Sequence, residues 1–264
     1  MKYLFSSLTV ISRMNTLLVE KLKDYAKITF NTGGKYNVIN KEFMYEMIDT
    51  LRKIDSDKNT RFIILTGANK NFGAGADIKE LKAANENREY ASSFFSTMFE
   101  MYRTFLHLTK PVISLVEGVA YGASLEILLV TDVVIASPYA RFAAPGAKLG
   151  VFPPVLVTVG KEVIGLNNVI RMALLGEELS AEEAKQIGLV HYVTENLETE
   201  AEKVISKIKM MAPSSVMNMR KIIFWKYEEE LEHAFKTLSE QVLTRDATNG
   251  ILAFLTKTKA PWVT

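Results

Sequence analysis

Short runs crowded with Val, Ile, Phe and Thr recur through the first half of the chain, at residues 17–22, 27–30, 62–66, 112–116 and 133–136. Each is bounded by Gly, Asn, Asp or a Lys-Pro pair, and β-branched and aromatic residues held between turn formers predict strands. Between them, apolar positions return at three- and four-residue intervals. Phe43, Met44, Met47, Ile48, Leu51 and Ile54 make one helical stripe behind Asn40, a side chain suited to cap the first turn. Residues 89–108 repeat Phe, Met and Leu at helical spacing until Lys110-Pro111, where proline forces the residue before it out of the helical region. Strands alternating with helices predict an α/β layer fold with a largely parallel sheet.

Beyond about residue 165 the strand pattern fades. Ser180 and Glu183 have the spacing of a capping box, and Gly188 is placed to end the helix they open. Residues 206–212, 216–227, 231–243 and 251–256 read as helices, with Pro213 separating the first two. No Gly/Ser- or Pro-rich linker divides this helical annex from the sheet region, so one domain is expected. Its parts are a loosely attached extension over 1–13, a core over 14–200 and a helical region over 201–264. The opening MKYLFSSLTVIS has the Lys and apolar run of a signal peptide, but two serines interrupt it and no small-x-small cleavage site follows. The globular part is expected to begin near Met14.

The 264 residues are 48% hydrophobic and 23% charged, enough to build a sizeable core and too apolar for a disordered chain. With 32 Lys and Arg against 30 Asp and Glu, the net charge of +2 leaves no electrostatic footprint for nucleic acid or a membrane surface. The absence of cysteine removes disulfides, thiolate nucleophiles and thiolate metal sites, and suits a cytoplasmic protein. His107, His191 and His233 lie far apart, so no metal site is expected. No apolar run reaches the roughly 18 residues that a membrane span needs.

GAGADI (73–78) starts like a dinucleotide fingerprint, but Ile78 stands where the third glycine belongs. Gly122-Ala123-Ser124-Leu125-Glu126 lacks the second glycine of a nucleophile elbow. Two segments remain, 62–81 and 110–137, each running from a strand into a Gly-rich turn. In the first, small residues let the backbone approach a ligand and present N–H groups to it. In the second, Gly122-Ala123-Ser124 opens a helix whose free N–H groups favour an oxyanion. Either segment alone also fits an ordinary tight strand-to-helix turn.

Taken together, FGAGADIKE, GASLE, TDVVIAS, FAAPGAKLG, LSAEEAKQIGLV and AFLTKTKAPW, preceded by YAKITFN and NVIN, resemble the paired signature of the crotonase superfamily, the enoyl-CoA hydratase/isomerase family. The likeness runs from about Leu18 to Trp262, and GVFPP is similar to the alicyclic dienoyl-CoA hydratase branch. It implies a ββα-spiral fold with a C-terminal helical annex, homotrimers or paired trimers, and acyl-CoA thioester substrates, with no cofactor beyond the CoA of the substrate. The thioester oxygen would sit between the backbone N–H groups of Ala76 and Ala123. Glu126, one helical turn after Ala123, would handle water or an acyl proton, and among Leu125, Ile127, Leu128 and Leu129 its carboxyl should be paired or have a raised pKa. Carried over in the same way, Ala74, Asp77 and Ile78 would lie along CoA, Lys35 near its phosphates, and Phe254 and Lys257 would approach from the C-terminal helices of this chain or a neighbour.

The sequence departs from the family at two places. Gly146 stands where the hydratases have a second glutamate, and Pro153-Pro154 replaces a Pro-Gly turn, which removes a backbone N–H. Hydration of a 2-enoyl-CoA or dehydration of a 3-hydroxyacyl-CoA is the leading expectation. Double-bond isomerisation, decarboxylation and silent acyl-CoA binding are the alternatives. Tyr121 and Lys148 are possible auxiliaries, against the plainer reading of a packing tyrosine and a surface lysine.

Overall fold

A computed structural model of the chain describes residues 10–264. Its strands are β1 (Val10–Arg13), β2 (Leu17–Lys21), β3 (Tyr25–Phe30), β4 (Phe62–Gly67), β5 (Val112–Val116), β6 (Val119–Tyr121), β7 (Val133–Ala136), β8 (Arg141–Ala143), β9 (Leu179–Ser180) and β10 (Tyr192–Val193). A seven-stranded sheet has the order β1-β2-β3-β4-β5-β7-β10, antiparallel from β1 to β3 and parallel from β3 onward. Its edge strand begins at Val10 and pairs with β2, Arg13 opposite Leu18, so the sheet starts four residues before Met14, inside the expected extension. Residues 1–9 of that extension lie outside the described residues.

The apolar runs have no polar alternation because the sheet is covered on both faces. On β4, Ile63 and Leu65 face the main core under α1 (Lys41–Ser56), where all six residues of the predicted stripe are buried. Phe62 and Ile64 face the other way, against Ala201, Val204 and Ile205. Those three belong to a helix that begins at Leu197, well before the expected 206. Asn40 caps α1 as expected, its side chain accepting the Phe43 N–H at 2.8 Å.

The remaining helices are α2 (Ile78–Glu86), α3 (Arg88–His107), α4 (Ala123–Leu128), α5 (Pro154–Thr158), α6 (Gly160–Val163), α7 (Leu166–Ala173), α8 (Ala181–Gln186), α9 (Leu197–Lys209), α10 (Pro213–Phe224), α11 (Glu228–Gln241) and α12 (Arg245–Thr256). The capping box of Ser180 and Glu183 forms at α8, and Gly188 follows with φ 88°. A second sheet, β6-β8-β9, escapes the sequence reading, as does β10. Strands of two or three residues are too short to carry a periodic signal.

This small sheet sets the two Gly-rich segments side by side. Gly73 donates to the Val119 carbonyl at 2.9 Å, and Tyr121 donates back to the Gly73 carbonyl at 2.9 Å. From the annex, α12 closes on the turn over Gly146–Leu149. A Cβ on Gly150 would lie 2.5 Å from the Ala247 nitrogen, and one on Gly250 would lie 2.5 Å from the Leu149 carbonyl carbon. Glycine at both positions is therefore what permits backbone-to-backbone contact.

Candidate active site

The loop after β4 spends nearly all of its backbone donors on the protein itself. Gly73 donates to Val119, Ala74 to the Asn37 carbonyl at 2.7 Å, Gly75 to Ser124 Oγ at 3.1 Å and Asp77 to the Ile39 carbonyl at 3.0 Å. Ala76 is left over: its N–H meets no acceptor among the described residues. A similar count applies at the second segment, where Tyr121 donates to Gly73, Gly122 to Ala143 at 2.8 Å and Glu126 to Gly122 at 3.0 Å. Ala123 is the first residue of α4, a position with no carbonyl one turn back, and its N–H is also unclaimed among the described residues. Ala123 is buried and Ala76 half-buried, so the two unpaired N–H groups leave two donors open to an external acceptor.

The turns that carry these donors touch. Gly75 has φ 90°, and a Cβ there would lie 2.8 Å from the Tyr121 carbonyl oxygen and 3.2 Å from the Ala123 nitrogen. Ala76 and Ala123 both border a cavity of about 470 Å³. Tyr102 steadies the helix from beneath, its buried O–H donating to the Ala123 carbonyl at 2.6 Å.

Glu126 borders the same cavity and is only 2% exposed. Its Oε1 accepts the N–H groups of Val155 at 2.6 Å and Leu156 at 2.9 Å, from the first turn of α5. Pro154, at the first position of that helix, has no N–H to offer, and the next two amides converge on the carboxylate. Oε2 accepts no hydrogen bond among the described residues. Burial pushes the Glu126 carboxyl up to about 7, and the two backbone donors hold back part of that rise. A carboxyl with one oxygen fixed and the other open to a cavity, titrating near neutrality, can both take and return a proton.

The other expected residues divide into two groups. Ala74, Ile78 and Gly146 border the cavity, and Phe254 reaches it from α12 of the same chain. Asp77, Lys35, Lys257 and Lys148 do not border it. The Asp77 side chain caps α2, accepting the Lys79 N–H at 2.8 Å. The Lys35 ammonium lies over the ring of Tyr36, 5.0 Å from its centroid, and Tyr36 does border the cavity. Lys257 follows the last turn of α12 in a left-handed conformation, φ 56°. Lys148 runs alongside Gly176. Tyr121 lines the cavity, but its O–H is committed to the Glu178 carboxylate, and burial raises it to about 12. The phenol therefore has no free proton to offer. The sequence marks Ser124 only as part of the turn that opens α4 and Asn37 only within NVIN, and Val155 and Leu156 not at all. The last two act through their backbone, which leaves no trace in residue identity.

Residues 20–264 match the profile of the family described as enoyl-CoA hydratase/isomerase. A Mycobacterium tuberculosis protein named a probable enoyl-CoA hydratase is 30% identical over 256 residues, 94% of this chain and 98% of its own length. A short-chain-enoyl-CoA hydratase of Clostridium acetobutylicum is 31% identical over 256 residues, 93% of this chain and 97% of its own. Among solved structures, an enoyl-CoA hydratase/isomerase from Mycobacterium paratuberculosis superposes with a TM-score of 0.84 at 21% identity, covering 91% of this chain and 99% of that one. The chain belongs to the enoyl-CoA hydratase/isomerase family and has the crotonase fold. The family acts on acyl-CoA thioesters.

Proposed function

We propose that the protein adds water to a 2-enoyl-CoA, or removes it from a 3-hydroxyacyl-CoA, with Glu126 as its one acid and base. The observation that carries this reading is the divided carboxylate of Glu126: Oε1 held by Val155 and Leu156, Oε2 unclaimed beside the cavity. In this reading the thioester oxygen accepts the N–H groups of Ala76 and Ala123. Oε2 orients a water molecule on one face of the double bond. Water oxygen bonds to the β carbon, its proton passes to Glu126, and the π electrons move onto the thioester oxygen as an enolate. Negative charge grows where the two preorganised donors point, and one such donor is worth about 10²–10³ in rate. Glu126 then returns the proton to the α carbon, the thioester carbonyl re-forms, and the carboxylate is regenerated. Addition and proton return share one face, so a single carboxylate suffices.

The naming of relatives at about 30% identity as hydratases supports hydration. Gly146 favours a second reading, isomerisation, because carrying a proton between two carbons of an enolate never calls for the second carboxylate absent from position 146. The test is incubation of the purified protein with 2-enoyl, 3-enoyl, dienoyl and malonyl thioesters, with products separated by chromatography against isomer standards and read by mass. Gain of one water by the 2-enoyl thioester supports hydration. Conversion of the 3-enoyl thioester to its 2-enoyl isomer, without mass change and without hydration, replaces that reading with isomerisation. Binding with no product from any thioester identifies a silent acyl-CoA binder.

The same reading includes a homo-oligomer. Leu166 and Ile170 on α7, Leu174 at its C-terminal cap, and Met219, Ile222 and Ile223 on α10 are large apolar side chains left exposed on the single chain. Exposed apolar groups clustered on particular helices support burial against further copies.

A further inference from the structure

The cavity beside Glu126 has two unlike ends. At one, Tyr36 and Phe254 are 41% and 60% exposed. At the other, Leu81, Phe95, Met98 and Leu238 are all nearly inaccessible, 5% exposed at most. A thioester held at Ala76 and Ala123 must send its long polar CoA portion out through the exposed end, which leaves its acyl group at the buried one.

That buried end backs onto a second cavity, of about 410 Å³, between α3 and α11. Phe95 borders both spaces. Its neighbours on each helix sort cleanly: Met98 and Leu238 face the first cavity, Phe99 and Ser239 the second. This second space is a groove open to solvent: above a floor formed by the rings of Phe99 and Phe235, 6.1 Å apart, its rim carries Ser92, Ser96 and Ser239 together with Arg88, Glu232, Lys236 and Glu240, and Arg88 pairs with Glu240 at 2.6 Å. Phe95 itself is 2% exposed, and fully buried Phe94 packs its ring nearly perpendicular to it at 5.2 Å. A ring so packed keeps its rotamer.

We propose that Phe95 is the end wall of the acyl pocket and sets the upper limit of acyl length, so that the native substrates are short-chain thioesters. The proposal rests on the acyl-CoA reading of the site and on nothing about the reaction performed there. Beyond the wall lies space that an extended chain would fill if the ring were absent, its methylenes meeting Phe99 and Phe235.

The experiment measures dissociation constants of saturated acyl-CoAs from butyryl to palmitoyl, by calorimetry, for the wild type and for Phe95→Ala and Phe95→Leu. Saturated thioesters cannot react, so the outcome is independent of hydration or isomerisation. For the wild type, affinity should stop rising, or fall, after the first few carbons. In Phe95→Ala it should continue to rise over the next several carbons, by at most about fourfold per added methylene, the factor that about 0.8 kcal/mol per fully buried CH₂ gives. Phe95→Leu, which removes less volume, should move the limit by fewer carbons. A wild type whose affinity climbs steadily to palmitoyl-CoA overturns the proposal without any variant. So does a folded Ala or Leu variant with the wild-type length profile. Failure of every acyl-CoA to bind sinks the acyl-CoA reading together with this one, whereas a length limit that moves in a protein inactive on 2-enoyl thioesters sinks hydration alone.

Discussion

Ser124 Oγ accepts the N–H of Gly75 at 3.1 Å, joining the two Gly-rich segments across a sequence separation of 49. By taking that donor, the hydroxyl leaves Ala76 as the next free N–H in the loop. Ser124→Ala would leave the buried Gly75 N–H without an acceptor, at a cost of about 1–3 kcal/mol. Chemical denaturation should register a loss in that range, and turnover should fall with it because the two loops lose their tie. A variant of unchanged stability and activity would show that the bond does not position the loop.

Glu126→Gln keeps an oxygen for the Val155 and Leu156 amides but cannot exchange a proton. Turnover on the native thioester should fall by about 10²–10⁴, with acyl-CoA affinity nearly unchanged. The pH profile should agree: kcat/KM falls about tenfold per unit below about 7, since water addition and α-proton removal both begin from the carboxylate. A flat profile through that range would remove Glu126 from the proton path.

The same group couples folding to pH. Its carboxyl is raised from an ordinary 4.5 to about 7 in the folded chain, so the unfolded state releases its proton first. The resulting stability is fully present below about 4.5 and is lost as pH rises through about 7, a change of roughly 3 kcal/mol. Relative to Glu126→Gln, the wild type should therefore lose stability between those values. Parallel stability curves for the two proteins would refute the coupling.

Gly146→Glu restores the carboxylate that hydratases carry. A Cβ at this position would lie 3.3 Å from the Val151 carbonyl oxygen and 3.4 Å from Phe152 Cα, tight contacts that need a shift of a few tenths of an ångström. Hydratase activity should rise in the folded variant if hydration is the native reaction. No gain, with acyl-CoA binding retained, would favour isomerisation.

If the apolar faces of α7 and α10 are buried between copies, the purified protein should sediment as a trimer or a multiple of one. A species of about 30 kDa at micromolar concentration would contradict this, and those faces would then need another partner.

Much of the fold could be read from local pattern. Asn40, the stripe from Phe43 to Ile54, and the Ser180–Glu183 box are signals complete within a turn or four of helix, and each element formed where they stood. What escaped depends on distant partners. β6 spans three residues and earns its place by pairing with β8, twenty-odd residues on; β10 spans two beside β7. At the site, the family signature brought Ala76, Ala123 and Glu126 into view, and all three border one cavity. The amides of Val155 and Leu156 were invisible because any non-proline residue could supply them. Ser124 was in plain sight within GASLE, but only the fold reveals that its acceptor faces Gly75.

The seam between α12 and the Gly146–Leu149 turn also orders events in time. During vectorial synthesis, a chain that has emerged only through residue 244 already holds Ala76, Ala123, Glu126 and the amides that orient the carboxylate. It lacks the residues that close over Gly150 and bring Phe254 to the cavity. The residues of the candidate site are therefore synthesised before those that enclose it, and a chain ending at 244 would leave the Gly150 turn and the Phe254 side of the cavity uncovered.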